Sequence, residues 1–272
     1  MELYLAGESG YYMRMMHLSP DVELTGYQQP DRLHNDPKRI NLLQSFYYAR
    51  KNKKYHIIQN SNACNLLIDS GAFTFMQDDK YAVNWERYTD EYCDWVLANG
   101  IKNFVEMDID WVAGVEDARK LRERIERRTG MQPIPCWHTC RGKEAWIDIC
   151  KEYPYAALSL GGATKTTSWF KKYKYAQLGW FLDVAAQYGC KVHGLGLTAI
   201  SVWLKNRHRF YSCDSTAWLA GNLGGFVYHF DPRAGVMGKT KAPEGKKLRT
   251  MEAAQNNFDQ WVLYQRWCRE NM

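Results

Sequence analysis

One pattern limits this chain more than any other. A short apolar run ends in an acid, a histidine or paired glycines, a stretch with helical spacing follows, and the unit repeats. Leu66-Leu67-Ile68 runs into Asp69, with Ser70, Gly71, Ala72 and Phe73 behind it. Such a run reads as a buried strand that Gly71 ends. An acid at the end of a buried strand is costly unless it is paired or used. Taken alone, Asp69 reads equally well as a helix cap or a turn residue.

The recurrence changes that reading. Strands are expected at residues 3–7, 66–69, 103–110, 133–138, 156–162, 191–196, 210–216 and 225–231. Helical spacing is seen over 41–52, 84–99, 116–129, 143–152, 174–188, 200–206 and 251–270. Eight strands mostly separated by helices favour a single (β/α)8 TIM barrel of the α/β class over an open sheet. The 272 residues match the roughly 250 that one barrel needs. The whole chain, 1–272, is therefore expected to form one barrel, with a long irregular segment at 8–37 and a basic loop at 235–250. Trp85, Tyr88, Tyr92, Trp95 and Val96 recur at helical spacing and are expected in the core.

Charge and cysteine usage narrow the setting. The formal net charge of +6 permits a polyanionic partner. Arg119 to Arg128 is basic, but Glu123 and Glu126 interleave, as on a solvated helix face. The eight cysteines form no CxxC pair. Cys136-Trp137-His138-Thr139-Cys140 has no fourth ligand close in sequence and is not read as a zinc site. Without a signal-peptide pattern or an apolar membrane span, the expectation is a cytoplasmic protein with reduced thiols and no membrane contact.

In such barrels chemistry gathers where the strands end. Those ends carry Asp69, Asp108, Asp110, His138, Gly161, Gly162, His193, Gly194, Gly196 and Asp214. Two carboxylates facing one cavity can divide into nucleophile and general acid/base. Glycine-opened walls let a flat ligand approach backbone donors and acceptors. Phe73 is placed either to stack on such a ligand or to pack in the core.

Asp69-Ser70-Gly71-Ala72-Phe73 resembles the Asp-Ser-Gly-Gly-aromatic motif of tRNA-guanine transglycosylases. Leu160-Gly161-Gly162 resembles their Gly-Gly-Leu segment. Val192-His193-Gly194-Leu195-Gly196, a helix, then Cys213-Asp214-Ser215 follows their Met-Gly-x-Gly, helix, Phe-Asp-Cys order. The matches run in order along about 150 residues. The Glu106-Met-Asp-Ile-Asp, Pro135-x-Trp-His and His193-Gly-Leu-Gly-x-Thr wording looks most like DpdA-type proteins, phage and bacterial relatives that insert 7-deazaguanines into DNA.

The resemblance implies exchange of guanine for a 7-deazaguanine, such as 7-cyano-7-deazaguanine, without a cofactor or metal. Asp214 would be the nucleophile and Asp69 the general acid/base. Asp108 or Asp110, with Asp108 favoured, would hydrogen-bond the purine N1 and 2-amino edge. Ser70, Gly161, Gly162, Gly194, Gly196 and His193 would line the base site, and Phe73 would stack on the base. His138 stands where the family places a base-binding glutamine. A target base in a duplex must be flipped out, so Lys239, Lys241, Lys246, Lys247 and Arg249 are the expected phosphate contacts. The family's tRNA enzymes carry a Cys-x-Cys-x-x-Cys…His zinc subdomain. Only Cys268 is present in the corresponding region, which favours DNA over tRNA. Three other readings stand beside this one. They are tRNA-guanine exchange, a metal-dependent barrel hydrolase using Asp108, Asp110, His138 and His193, and a catalytically silent nucleic-acid-binding barrel.

Overall fold

Strands buried on both faces need cover on both sides, and a parallel sheet with helical crossovers supplies it. The computed structural model, which describes residues 1–7, 35–51, 64–76, 83–159, 168–197, 200–242, 244 and 250–272, is built in this way. Seven strands form one sheet: β1 (Glu2–Ala6), β2 (Ile40–Ser45), β3 (Cys64–Asp69), β4 (Cys136–Trp137), β5 (Tyr155–Leu158), β6 (Lys191–Gly194) and β7 (Ser212–Ser215). Every neighbouring pair is parallel, in the order β3-β2-β1-β7-β6-β5-β4. Alternation along the strands sorts two cores. Leu3, Leu5, Leu42, Leu66, Ile68, Val192 and Cys213 pack with the helices. Tyr4, Ala6, Leu43, Leu67, Tyr155 and Ala157 form a second, inner core with Val105, Ile134 and Cys136.

The sheet is curled rather than flat. Residues 103–106 draw its two edges toward each other through isolated parallel bridges, Ile68 with Phe104 and Val105 with Ile134. Val105 N donates to Ile68 O at 2.9 Å, and Glu106 N donates to Ile134 O at 3.0 Å. The helix Trp85–Ala98 reinforces this seam. Tyr92 Oη donates to Ile68 O (3.3 Å) and Val105 O (3.0 Å), and Tyr88 Oη donates to Ser70 O at 2.7 Å.

The described residues form a seven-strand, half-barrel sheet, compatible with a TIM-like α/β fold, and not the closed eight-strand ladder expected. Three expectations fail for identifiable reasons. Residues 41–52 were expected to be helical, yet 40–45 form β2, and only Phe46–Ala49 is helical. Asn41 suits a strand because its polar groups are met: its N–H donates to Gln265 Oε1 at 3.1 Å, and its Oδ1 accepts from Asn65 Nδ2 at 2.7 Å. Residues 103–110 give isolated bridges rather than a full strand, because the chain turns into the short helix Asp110–Ala113. Residues 225–231 leave the sheet and pair antiparallel, as β8 (Phe226–Asp231) with β9 (Val236–Lys241). The expected basic loop at 235–250 therefore begins as a strand.

The helices Val115–Thr129, Gly142–Glu152, Ile200–Lys205 and Thr250–Asn271 fall close to expectation, Ser168–Gln187 begins six residues early, and Ala72–Met76 and Ala217–Gly224 were not anticipated. The basic face of Val115–Thr129 is not merely solvated. Arg124 makes two hydrogen bonds to Asp90 (2.7 and 2.8 Å), and Arg122 reaches buried Glu106 at 3.4 Å. Of residues 8–37, those from 8 to 34 lie outside the described residues. Among the described residues no helix is long and apolar enough to cross a membrane.

The helix Thr250–Asn271 fastens the start of the sheet. The β1–β2 ladder pairs only Leu5 with Leu42 and Ala6 with Leu43. Below that point Gln265 stands in for the ladder, donating from Nε2 to Leu3 O (2.5 Å) and Asn41 O (2.9 Å). Replacing Gln265 with Ala strands buried backbone groups. Urea unfolding of Gln265→Ala is expected to show a loss of roughly 2–4 kcal/mol.

Candidate active site

Asp69 and Asp214 lie near the carboxyl ends of β3 and β7, on the inner face of the sheet. Asp69 is two residues beyond the inner-core Leu67, and Asp214 pairs in register with the inner-core Tyr4. Three strand spacings separate β3 from β7, about 14 Å in a flat sheet. The two carboxyls nevertheless feel each other's charge, because the sheet curls.

The turn after Asp69 is dictated by glycine. Gly71 has φ +73°, and a Cβ there would come within 2.4 Å of Ser45 Oγ and 2.9 Å of Tyr47 N. Any larger residue is excluded by both conformation and space. Ser70 is fully buried, and its hydroxyl donates to Asp108 Oδ1 at 3.0 Å. The Ser70 hydroxyl, expected at the base site, is thus engaged with Asp108.

Burial, then the charge of Asp214, pushes the Asp69 carboxyl up to about 6. Burial, then the charge of Asp69, pushes Asp108 well above the usual carboxylate range. Asp110 behaves in the opposite way. Burial works against its ionisation, but the hydrogen bond from His138 and the charge of Arg141 outweigh it and hold Asp110 at about 2. His138 Nδ1 lies 2.9 Å from one Asp110 oxygen and 3.1 Å from the other, and Arg141 Nε donates at 2.7 Å. Arg141 also lies 2.9 Å from Glu106, whose Oε1 accepts from Cys136 N at 2.7 Å. Asp110 and His138 are thus committed to each other and to Arg141. Of the two acids offered as base readers, only Asp108 is free of an ion pair.

Asp214 is held differently. Gly196 N donates to its Oδ1 at 2.6 Å, and His193 Nε2 lies 3.2 Å from the same oxygen. Gly196 has φ +62°, which aims its N–H at the carboxylate. Gly194 admits no side chain, since a Cβ would meet Cys213 Sγ at 2.8 Å. His193, expected to line the base site, is fully buried.

The remaining expected residues are scattered. Gly161, Gly162, Lys246, Lys247 and Arg249 lie outside the described residues, as does the side chain of Phe73. Lys239 and Lys241 are exposed on β9, where Lys239 Nζ sits 4.8 Å from the Phe226 ring centroid. Cys136 is buried on β4 while Cys140 is exposed in a single 3₁₀ turn, so the two do not share one strand face. Among the described residues no group of three or more His, Cys, Asp or Glu is placed to hold a metal ion. Asp108, Asp110, His138 and His193 do not converge: one histidine serves Asp110 and the other Asp214.

Sequence reasoning missed Arg141, Glu106, Ser212 and Tyr155. Ser212 was findable, because it lies two residues before Asp214 on one strand and so shares its face. Arg141 was not, because its partners come from a distant strand end. No family model matches the chain, and no curated protein matches it.

The proton of Asp69 has a consequence for stability. The folded chain binds it more tightly than the unfolded chain, so stability is lost as pH rises from the ordinary carboxyl value near 3.8 through about 6. Asp69→Asn removes this loss. Thermal or urea unfolding is expected to show the variant about 1–3 kcal/mol more stable at pH 8 and close to the parent at pH 4.

Proposed function

We propose that this chain is a base-exchanging transglycosylase that replaces guanine in DNA with a 7-deazaguanine through a covalent aspartyl-glycosyl intermediate. The observation that carries the reading is the contrast between two carboxyls close enough for one to feel the other's charge. Asp69 holds a proton up to about pH 6, while Asp214 is fixed by a backbone amide and an imidazole. Two carboxyls in different environments divide acid and nucleophile roles. The scaffold is read as a (β/α)8 barrel in which residues 103–106 stand as the strand between β3 and β4. The two isolated bridges support that reading.

The proposed chemistry is a double displacement at the sugar C1′. A lone pair of the Asp214 carboxylate forms a bond to the sugar C1′ as the C1′–N9 bond breaks. The electron pair of that bond leaves with the purine, which takes the proton of Asp69. The oxocarbenium-like state between these events is stabilised by the opposing carboxylate. The incoming base then returns its N9 proton to Asp69 and attacks C1′, and Asp214 departs. Asp108 reads the N1 and 2-amino donors of the purine, which draw it toward its ionised form. The exposed Lys239 and Lys241, with a net charge of +6, supply phosphate contacts that help offset base flipping.

Isotope-labelled guanine offered with duplex DNA, single-stranded DNA and tRNA tests the assignment. Label should enter DNA, and Asp214→Ala should lower incorporation at least about a thousandfold while DNA binding survives. Label in tRNA alone would replace DNA as the substrate, and label in neither would end the transglycosylase reading. Formation of the covalent adduct needs protonated Asp69 and should slow above about pH 6. Discharge of the adduct by free base needs the ionised form and should slow below that pH. Rapid quenching on denaturing gels separates the two steps.

A further inference from the structure

The inner face of the sheet carries a buried polar chain that ends on Asp214. Tyr155 on β5, His193 on β6 and Ser212 on β7 come from three adjacent strands. Tyr155 Oη and Ser212 Oγ are 2.6 Å apart, and Ser212 Oγ and His193 Nδ1 are 2.6 Å apart. His193 Nε2 then lies 3.2 Å from Asp214 Oδ1. His193 and Ser212 are fully buried, and the rings of Tyr4 and Tyr155 stand edge-on to the imidazole at 6.1 and 6.4 Å. A buried histidine with both nitrogens engaged and aromatic edges on two sides has one orientation.

We infer that His193 is a positioning residue for Asp214, its Nε2–H held toward Oδ1 by Ser212 and Tyr155, so that Oδ2 is the oxygen that attacks. An ionised carboxylate only accepts, so with Asp214 ionised the hydrogen in this contact belongs to Nε2. Gly196 N–H aims at the same oxygen. Both donors therefore fall on Oδ1, and among the described residues none falls on Oδ2. One oxygen is pinned and the other keeps its lone pairs. The role is one a fully buried ring can perform without touching the base. The inference rests on the transglycosylase reading for its kinetic consequence but not for its geometry.

Two measurements keep these separable. Long-range ¹H–¹⁵N spectra of the free protein report which ring nitrogen of His193 carries hydrogen. A protonated Nε2 is expected, and a bare Nε2 overturns the inference whatever the activity. In base exchange, His193→Leu and Ser212→Ala are expected to lower kcat about 10- to 100-fold, with KM for the free base within about twofold. His193→Gln, which retains an N–H for Asp214, should recover most of the loss. A raised KM with unchanged kcat would make His193 a substrate contact and defeat the inference. Absence of exchange in the unaltered protein refutes the transglycosylase reading and leaves the spectroscopic result to decide the hydrogen bond. In a trapped adduct, the ester should join the oxygen remote from Gly196 N–H, and an ester through the other oxygen would overturn the assignment.

Discussion

The architecture depends on how it neutralises acids crowded at one end of a curled sheet. A carboxyl taken out of water must find a cation, accept hydrogen bonds or keep its proton. This chain uses all three solutions within a few residues. Glu106 and Asp110 receive arginines, Arg122 and Arg141. Asp214 receives an amide and an imidazole. Asp69 and Asp108 receive neutral partners and keep their protons to higher pH. Among the described residues no lysine or arginine pairs with these last three. The division separates a part that braces the fold from a part that can still exchange protons.

The bracing has a visible logic. Arg141 follows β4 by four residues and ties two distant acids together, so the seam around residues 103–106 is anchored by charge as well as by bridges. Tyr88 and Tyr92 reach in from their helix to the carbonyls of Ser70, Ile68 and Val105. Backbone groups left over where ladder pairing thins out are met by side chains, as buried groups must be. Asp69 sits one residue past Ile68 and inherits that rigidity.

Much of this was legible in the sequence. Apolar runs flanked by glycine gave β1, β3, β5 and β6, a run ending in an acid gave β7, and helical spacing gave the helices to within a residue or two at Trp85–Ala98, Val115–Thr129 and Gly142–Glu152. Asp69 and Asp214 stood out as acids at strand ends. Other features had no local signature. Asn41 and Gln44 interrupt the run that becomes β2, and the aromatics after Ser45 extend a helical spacing that the chain follows only from Phe46 to Ala49. Residues 225–231 look the same whether they pair in parallel with the sheet or antiparallel with a neighbour. Asp110 and Asp108 are alike in sequence and opposite in environment, because Arg141 and Ser70 reach them only through the fold.

The position of β1 has a consequence for biosynthesis. Its first residue, Glu2, registers with Ser212, and its lower half is stitched by Gln265. β1 is therefore not fully paired until β7 and the helix Thr250–Asn271 have been made. Contacts this distant in sequence slow folding and leave apolar segments waiting. Leu3-Tyr4-Leu5 therefore stays partly uncovered until residues more than 200 positions later have been made, and an apolar segment left waiting in this way is open to a chaperone or an aggregating neighbour.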